Sequence, residues 1–198
     1  MKFIPAVLLA ALVSFCWGFF SWMVLSWHQN GMHDFKDEAA VAKVISDNAG
    51  KGRGIYMLPY QQEAMAFASD TEKAEQQAKY DKAMEEGPYL YAIIRPGKTT
   101  ATISQSLIYS AVRSIVAAIL LAVLMAQLTM SYPGKVSFAA ALGVFVGLVA
   151  EVPDWIWFEL PTRDLVVDMA DHFIEWMLAG SVLALFIGKE LNVRNDRN

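Results

Sequence analysis

Asp164, Asp168, Asp171, His172 and Glu175 recur at steps of three and four. A helix over this stretch therefore gathers them on one face. The same face runs on into Ala179 and Val182, inside a segment apolar enough to enter a bilayer. Ionisable groups at such depth are costly and turn toward a bundle interior, where they mark a functional site. Carboxylates with an imidazole at this spacing suit zinc, iron or manganese. Asp168, Asp171, His172 and Glu175 are the expected ligands of a possible divalent metal, with His28 added from the mouth of the first apolar run. In a catalytic version the metal would activate water, and Glu175, Glu151 or Arg113 would serve as acid–base or anion-binding groups.

A plainer chemistry competes. Arg113 is always charged, so a bundle that buries it must supply a carboxylate, and Glu151 or Glu175 is within reach by depth. Such an ion-pair cluster fixes helix register without catalysis. One arginine does not, however, neutralise Asp168, Asp171, Glu175, Glu151 and Asp154. Haem fits poorly, because there are only three histidines and the pocket is rich in acids. No nucleophile elbow or phosphate-binding loop points to another reaction.

The elements that must position these groups are apolar helices. Hydrophobic residues make up 56% of the 198-residue chain and mean hydropathy is +0.34, too apolar for an ordinary soluble domain. The formal charge of −4 argues against nucleic-acid binding, and a single cysteine, Cys16, excludes a disulfide framework. The pattern predicts a mainly α membrane protein, a bundle of four transmembrane helices over 3–28, 104–130, 136–158 and 164–188. A small extramembrane α+β domain over 29–103 is inserted between the first two, and a polar tail covers 189–198.

The first run is longer than a signal-peptide core and lacks a small-residue cleavage site, which marks an uncleaved helix. Its polar seam is Ser14, Trp17, Ser21 and His28. In the insert, Asp34 is expected to cap a short helix, GIYMLPY (54–60) and YLYAIIR (89–95) read as strands, and 61–86 reads as helix with a capping box at Ser69 and Glu72. On the second span Ser106, Tyr109, Ser110 and Arg113 share a face with Ala117, Leu120 and Leu124. SYPGK (131–135) reads as a tight turn. Gly143, Gly147, Gly180, Ala184 and Gly188 are spaced for close helix packing.

Lys2, Lys135, Lys189, Arg194 and Arg197 fall on one side of a four-span chain, against Arg163 alone in the short link opposite. This charge bias places both termini in the cytoplasm of a bacterium, with the chain in the inner membrane and the insert in the periplasm. The polar groups then share one stratum of the outer half, and the inner half is Ala, Leu, Val and Gly. A pocket open outward and sealed inward is expected, which counts against ion or proton transport. The expected partners are the lipid bilayer and a membrane-protein partner or a second copy. The leading functional expectation is an accessory or assembly subunit; the alternative is a metal-dependent enzyme or cofactor-binding protein.

Overall fold

The computed structural model describes residues 3–50, 52–60, 69–99 and 101–188. Part of the expected 61–86 helix and the tail 189–198 lie outside the described residues. In chain order the elements are α1 (Phe3–Met23), a 3-10 turn (Gln29–Gly31), α2 (Glu38–Asn48), β1 (Gly54–Leu58), α3 (Asp70–Glu86), β2 (Leu90–Ile94), α4 (Ile103–Ala126), α5 (Tyr132–Ala150), α6 (Val152–Trp157) and α7 (Thr162–Ala184). They form two units, 34–100 and the remainder.

The larger unit is a helical bundle, and three stretches of it are long and apolar enough to cross a membrane: Phe3–Met23, Ile103–Ala126 and Tyr132–Trp157. The helix α7 carries Arg163, Asp164, Asp168, Asp171 and Glu175, too much charge to join them on composition. It is instead the inner helix of the bundle, packed along both α5 and α1, and α1 in turn packs on α4. From Asp164 to Ala184 only Val166 and Phe173 are exposed. On α1 and α4, by contrast, Leu8, Leu12, Phe19, Ile108, Ile119 and Leu120 turn outward.

Small side chains set these contacts. The buried stripe of α1 is Ala6, Val7, Ala10, Ala11, Ser14 and Ser21; that of α4 is Ser114, Ala118, Leu121, Ala122 and Met125. The second stripe corrects the expected face of α4. Tyr109, Leu120 and Leu124 are exposed, and the contact runs instead along Ser114, Ala118 and Ala122, where small residues let the backbones approach. Between α5 and α7 the glycines do the same. A Cβ on Gly143 would lie 2.5 Å from the His172 carbonyl oxygen, and one on Gly180 would collide with the Ala139 Cβ.

SYPGK is not a turn but a helix start. The Ser131 hydroxyl accepts from the Gly134 N–H, and Pro133 sits in the first turn, where no amide donor is needed. Lys135 is thereby drawn out of the loop: it is 2% exposed, with its stem beside Gly188. At the other end of α5, Pro153 has no N–H to offer the turn before it. The helix breaks at Glu151 and resumes as α6.

In the 34–100 unit, β1 and β2 pair antiparallel, with Ile55 opposite Ile93 and Met57 opposite Tyr91. Asp37, not Asp34, caps α2 through the Ala40 N–H. The capping box of α3 is present: Ser69 Oγ accepts from the Glu72 N–H, and the Glu72 carboxylate accepts from the Ser69 N–H at 2.8 Å. Among the described residues of this unit none is buried.

Two expectations follow from these contacts. Gly180→Ala should destabilise the bundle by about 1–3 kcal/mol through overpacking against Ala139, read from unfolding in mixed micelles. The Ser69 backbone N–H, and then its hydroxyl, hold the Glu72 carboxyl below the ordinary glutamate range. A lowered folded-state pKa stabilises α3 above the unfolded value, and that contribution disappears as pH falls through the lowered one. Amide exchange at the start of α3 should therefore quicken on acidification in the wild type, and Ser69→Ala, which removes the hydroxyl but keeps the backbone N–H, should weaken the pH dependence without abolishing it.

Candidate functional site

The bundle is apolar at one end and polar at the other. Ala10, Ala118, Leu121, Ala139, Ala179 and Leu183 form the buried apolar core of one half. Beyond Ser14, Ser114 and Glu175 the helices enclose a cavity of about 610 Å³. Its wall includes His28, Arg113, Glu151, Asp168, Asp171, His172 and Glu175, drawn from α1's C-terminal connection, α4, the α5–α6 break and α7. Of the residues that helical spacing singled out on α7, Asp168, Asp171, His172 and Glu175 share one chamber with Arg113, and Asp164 does not line it.

Glu175 is the deepest of these acids, 4% exposed. Its Oε1 accepts from Arg113 Nη2 at 2.8 Å and from the Ser14 hydroxyl at 2.5 Å, and Ser14 Oγ lies 3.2 Å from Ser114 Oγ. Three helices are thus tied through one carboxylate oxygen. A buried carboxylate without such partners would carry a penalty of several kcal/mol.

One turn further out, Asp171 accepts from Trp17 Nε1 at 2.6 Å. His28 is not on the α1 face, since that helix ends at Met23; the following connection folds back and inserts the imidazole. Its Nδ1 is 3.6 Å from Asp168 and its Nε2 is 3.7 Å from Asp171 and 3.1 Å from Ser21 Oγ. The Trp22 ring stacks on it at 4.0 Å and the Trp27 ring meets it edge-on. These tryptophans build the socket of a histidine. Arg163 secures the fold-back by donating from Nη2 to the Trp27 carbonyl at 2.6 Å, while its Nη1 holds Asp164.

His172 Nε2 faces Glu151 Oε1 at 3.3 Å. The helix break at Glu151 points this side chain at α7, and Gly143 brings the two backbones close enough for the pair to form. Among the described residues no group of three His, Cys, Asp or Glu side chains is placed to hold an ion. Each base faces acids instead, His172 with Glu151, His28 with Asp168 and Asp171, and Arg113 with Glu175.

Asp154 and His33 stay outside the cavity wall, and Asp164 is occupied at its rim. Sequence reasoning missed Ser114 and Arg163. The first had a signal, the small residues at Ser110, Ser114, Ala118 and Ala122 repeating every fourth position; the second acts through backbone and had none. Comparison with protein-family models, curated proteins and solved structures finds no match to this chain.

Removing the tie at Glu175 tests the arrangement. Glu175→Ala should lower stability by about 1–3 kcal/mol, the cost of leaving Arg113 and Ser14 unpaired, and Glu175→Gln by less because the amide oxygen still accepts. Thermal unfolding of the detergent-extracted protein reads the order.

Proposed function

We propose that this protein is an integral subunit of the bacterial inner membrane, an accessory or assembly component rather than a catalyst. Its four helices α1, α4, α5 with α6, and α7 span the bilayer with both termini in the cytoplasm and the 34–100 unit in the periplasm. The observation that carries a subunit role is the absence of any buried side chain among the described residues of that unit. Ile55, Leu58, Tyr60 and Ile93 are exposed on or beside its sheet, and among the described residues neither β1 nor β2 has a second neighbour. A domain of this size needs a core or a partner to be stable. The partner supplies the missing surface.

Two further observations support the reading. α7 is flanked along its length by apolar helices, so its charges are shielded from lipid and a fourth crossing becomes affordable. The polar cavity presents mutually paired acids and bases, which suits a register-fixing network better than a reaction centre. Basic residues retain their bias: Lys2, Lys189, Arg194 and Arg197 stand against Arg163 even with Lys135 buried.

Gentle extraction of the tagged chain from its own membrane, followed by native mass spectrometry, should show a second polypeptide. Ile55→Asp with Ile93→Asp should release it while the chain stays in the membrane. His172→Ala should lower stability without loss of a bound metal. A metal mass that disappears in His172→Ala would overturn the reading in favour of a metal-dependent enzyme, and a bare wild-type chain would overturn the subunit role.

A further inference from the structure

The cavity has more negative charge than its own bases can match. Glu151, Asp168, Asp171 and Glu175 bring four carboxylates, against one fixed cation, Arg113, and two imidazoles. The opposite wall is of another kind. Phe15, Phe19 and Met23 of α1 and Leu107 of α4 line it. Phe19, Met23 and Leu107 are 56%, 68% and 45% exposed, so this wall continues onto the outer apolar surface of the bundle. Between the two walls stands Gly18, where an added Cβ would meet no atom within 4 Å. The chamber is therefore lined by acids and by apolar residues, and the apolar lining at Phe19, Met23 and Leu107 is exposed at the surface of the bundle.

We infer that the cavity takes the headgroup of an aminophospholipid, a primary ammonium on a phosphodiester with acyl chains. The inference rests on the membrane-embedded reading of the bundle. An –NH3+ group has three N–H donors for Asp168, Asp171 and Glu151, whereas a quaternary ammonium has none. The Arg113 side chain is 53% exposed and commits Nη2 to Glu175, and its planar fork suits a phosphodiester oxygen. The acyl chains leave past Phe19, Met23 and Leu107 into the bilayer. A volume of about 610 Å³ lies within the range of small-ligand sites.

The test uses the full chain, stripped of endogenous lipid and exposed to equimolar phosphatidylethanolamine, phosphatidylglycerol and phosphatidylcholine of matched chains. Native mass spectrometry should show one phosphatidylethanolamine retained about tenfold over either competitor, the scale of one charge-assisted hydrogen bond. Asp168→Asn with Asp171→Asn should erase that preference. Gly18→Leu should evict the lipid with no loss of thermal stability, which keeps the test open should the acidic variants fold poorly. Equal retention of all three lipids, or retention unchanged by Gly18→Leu, overturns the proposal. Displacement by millimolar free ethanolamine also overturns it and assigns the cavity to a soluble amine. None of these outcomes depends on whether a second polypeptide co-purifies, so the lipid site and the subunit role fail separately.

Discussion

A carboxylate taken out of water must be met by donors, and Glu175 imposes that requirement on the whole bundle. Its partners come from α1 and α4, and α7 also carries the acids that hold His28 and the imidazole, His172, that faces Glu151. A helix with these demands cannot lie at the edge of a membrane bundle. It sits between α1 and α5, and the order of the other helices follows from covering it.

Close approach is the second constraint, and it serves the first. Hydrogen bonds of 2.5–2.8 Å between helices need backbones brought near, which Ser14 and Ser114 permit on one side of α7. On the other side Gly143 lets the His172 carbonyl pass where no side chain would fit. Polar contacts and small residues are thus one device: the serines are at once the spacers and the donors. The apolar half of the bundle uses alanine in the same positions and needs no donors, which is why the cavity ends where Ser14 and Ser114 give way to Ala10 and Ala118.

Much of this was legible in the sequence, for reasons of periodicity. The face of α7, the depth of Arg113 and the change from polar to apolar along the bundle all follow from a 3.6-residue repeat on long helices. So does the box at Ser69 and Glu72, whose chemistry is local. What escaped was chemistry that periodicity does not carry. The packing face of α4 could not be found from hydrophobicity, because beyond Ser114 that helix is apolar all round and is oriented by residue size. SYPGK has turn composition, yet Ser131 and Pro133 are equally good helix starters, and burial of the Lys135 stem favours the helix. The path of His28 depends on a reversal after Met23 that Arg163 fixes from across the bundle, a contact between residues 136 positions apart. Nor does side-chain type disclose whether acids will gather round an ion or pair off with bases.

The crowding of charge onto α7 also bears on how the chain is made. It leaves the ribosome after α1, α4 and α5, and alone it would be a poor candidate for release into lipid. By then Ser14, Trp17 and Arg113 are already present on α1 and α4 to receive its acids. In the four-span reading, entry of α7 is a docking event rather than a partitioning one, so a defect in Arg113 should surface first as failed biogenesis: a chain stalled with α7 outside the bilayer.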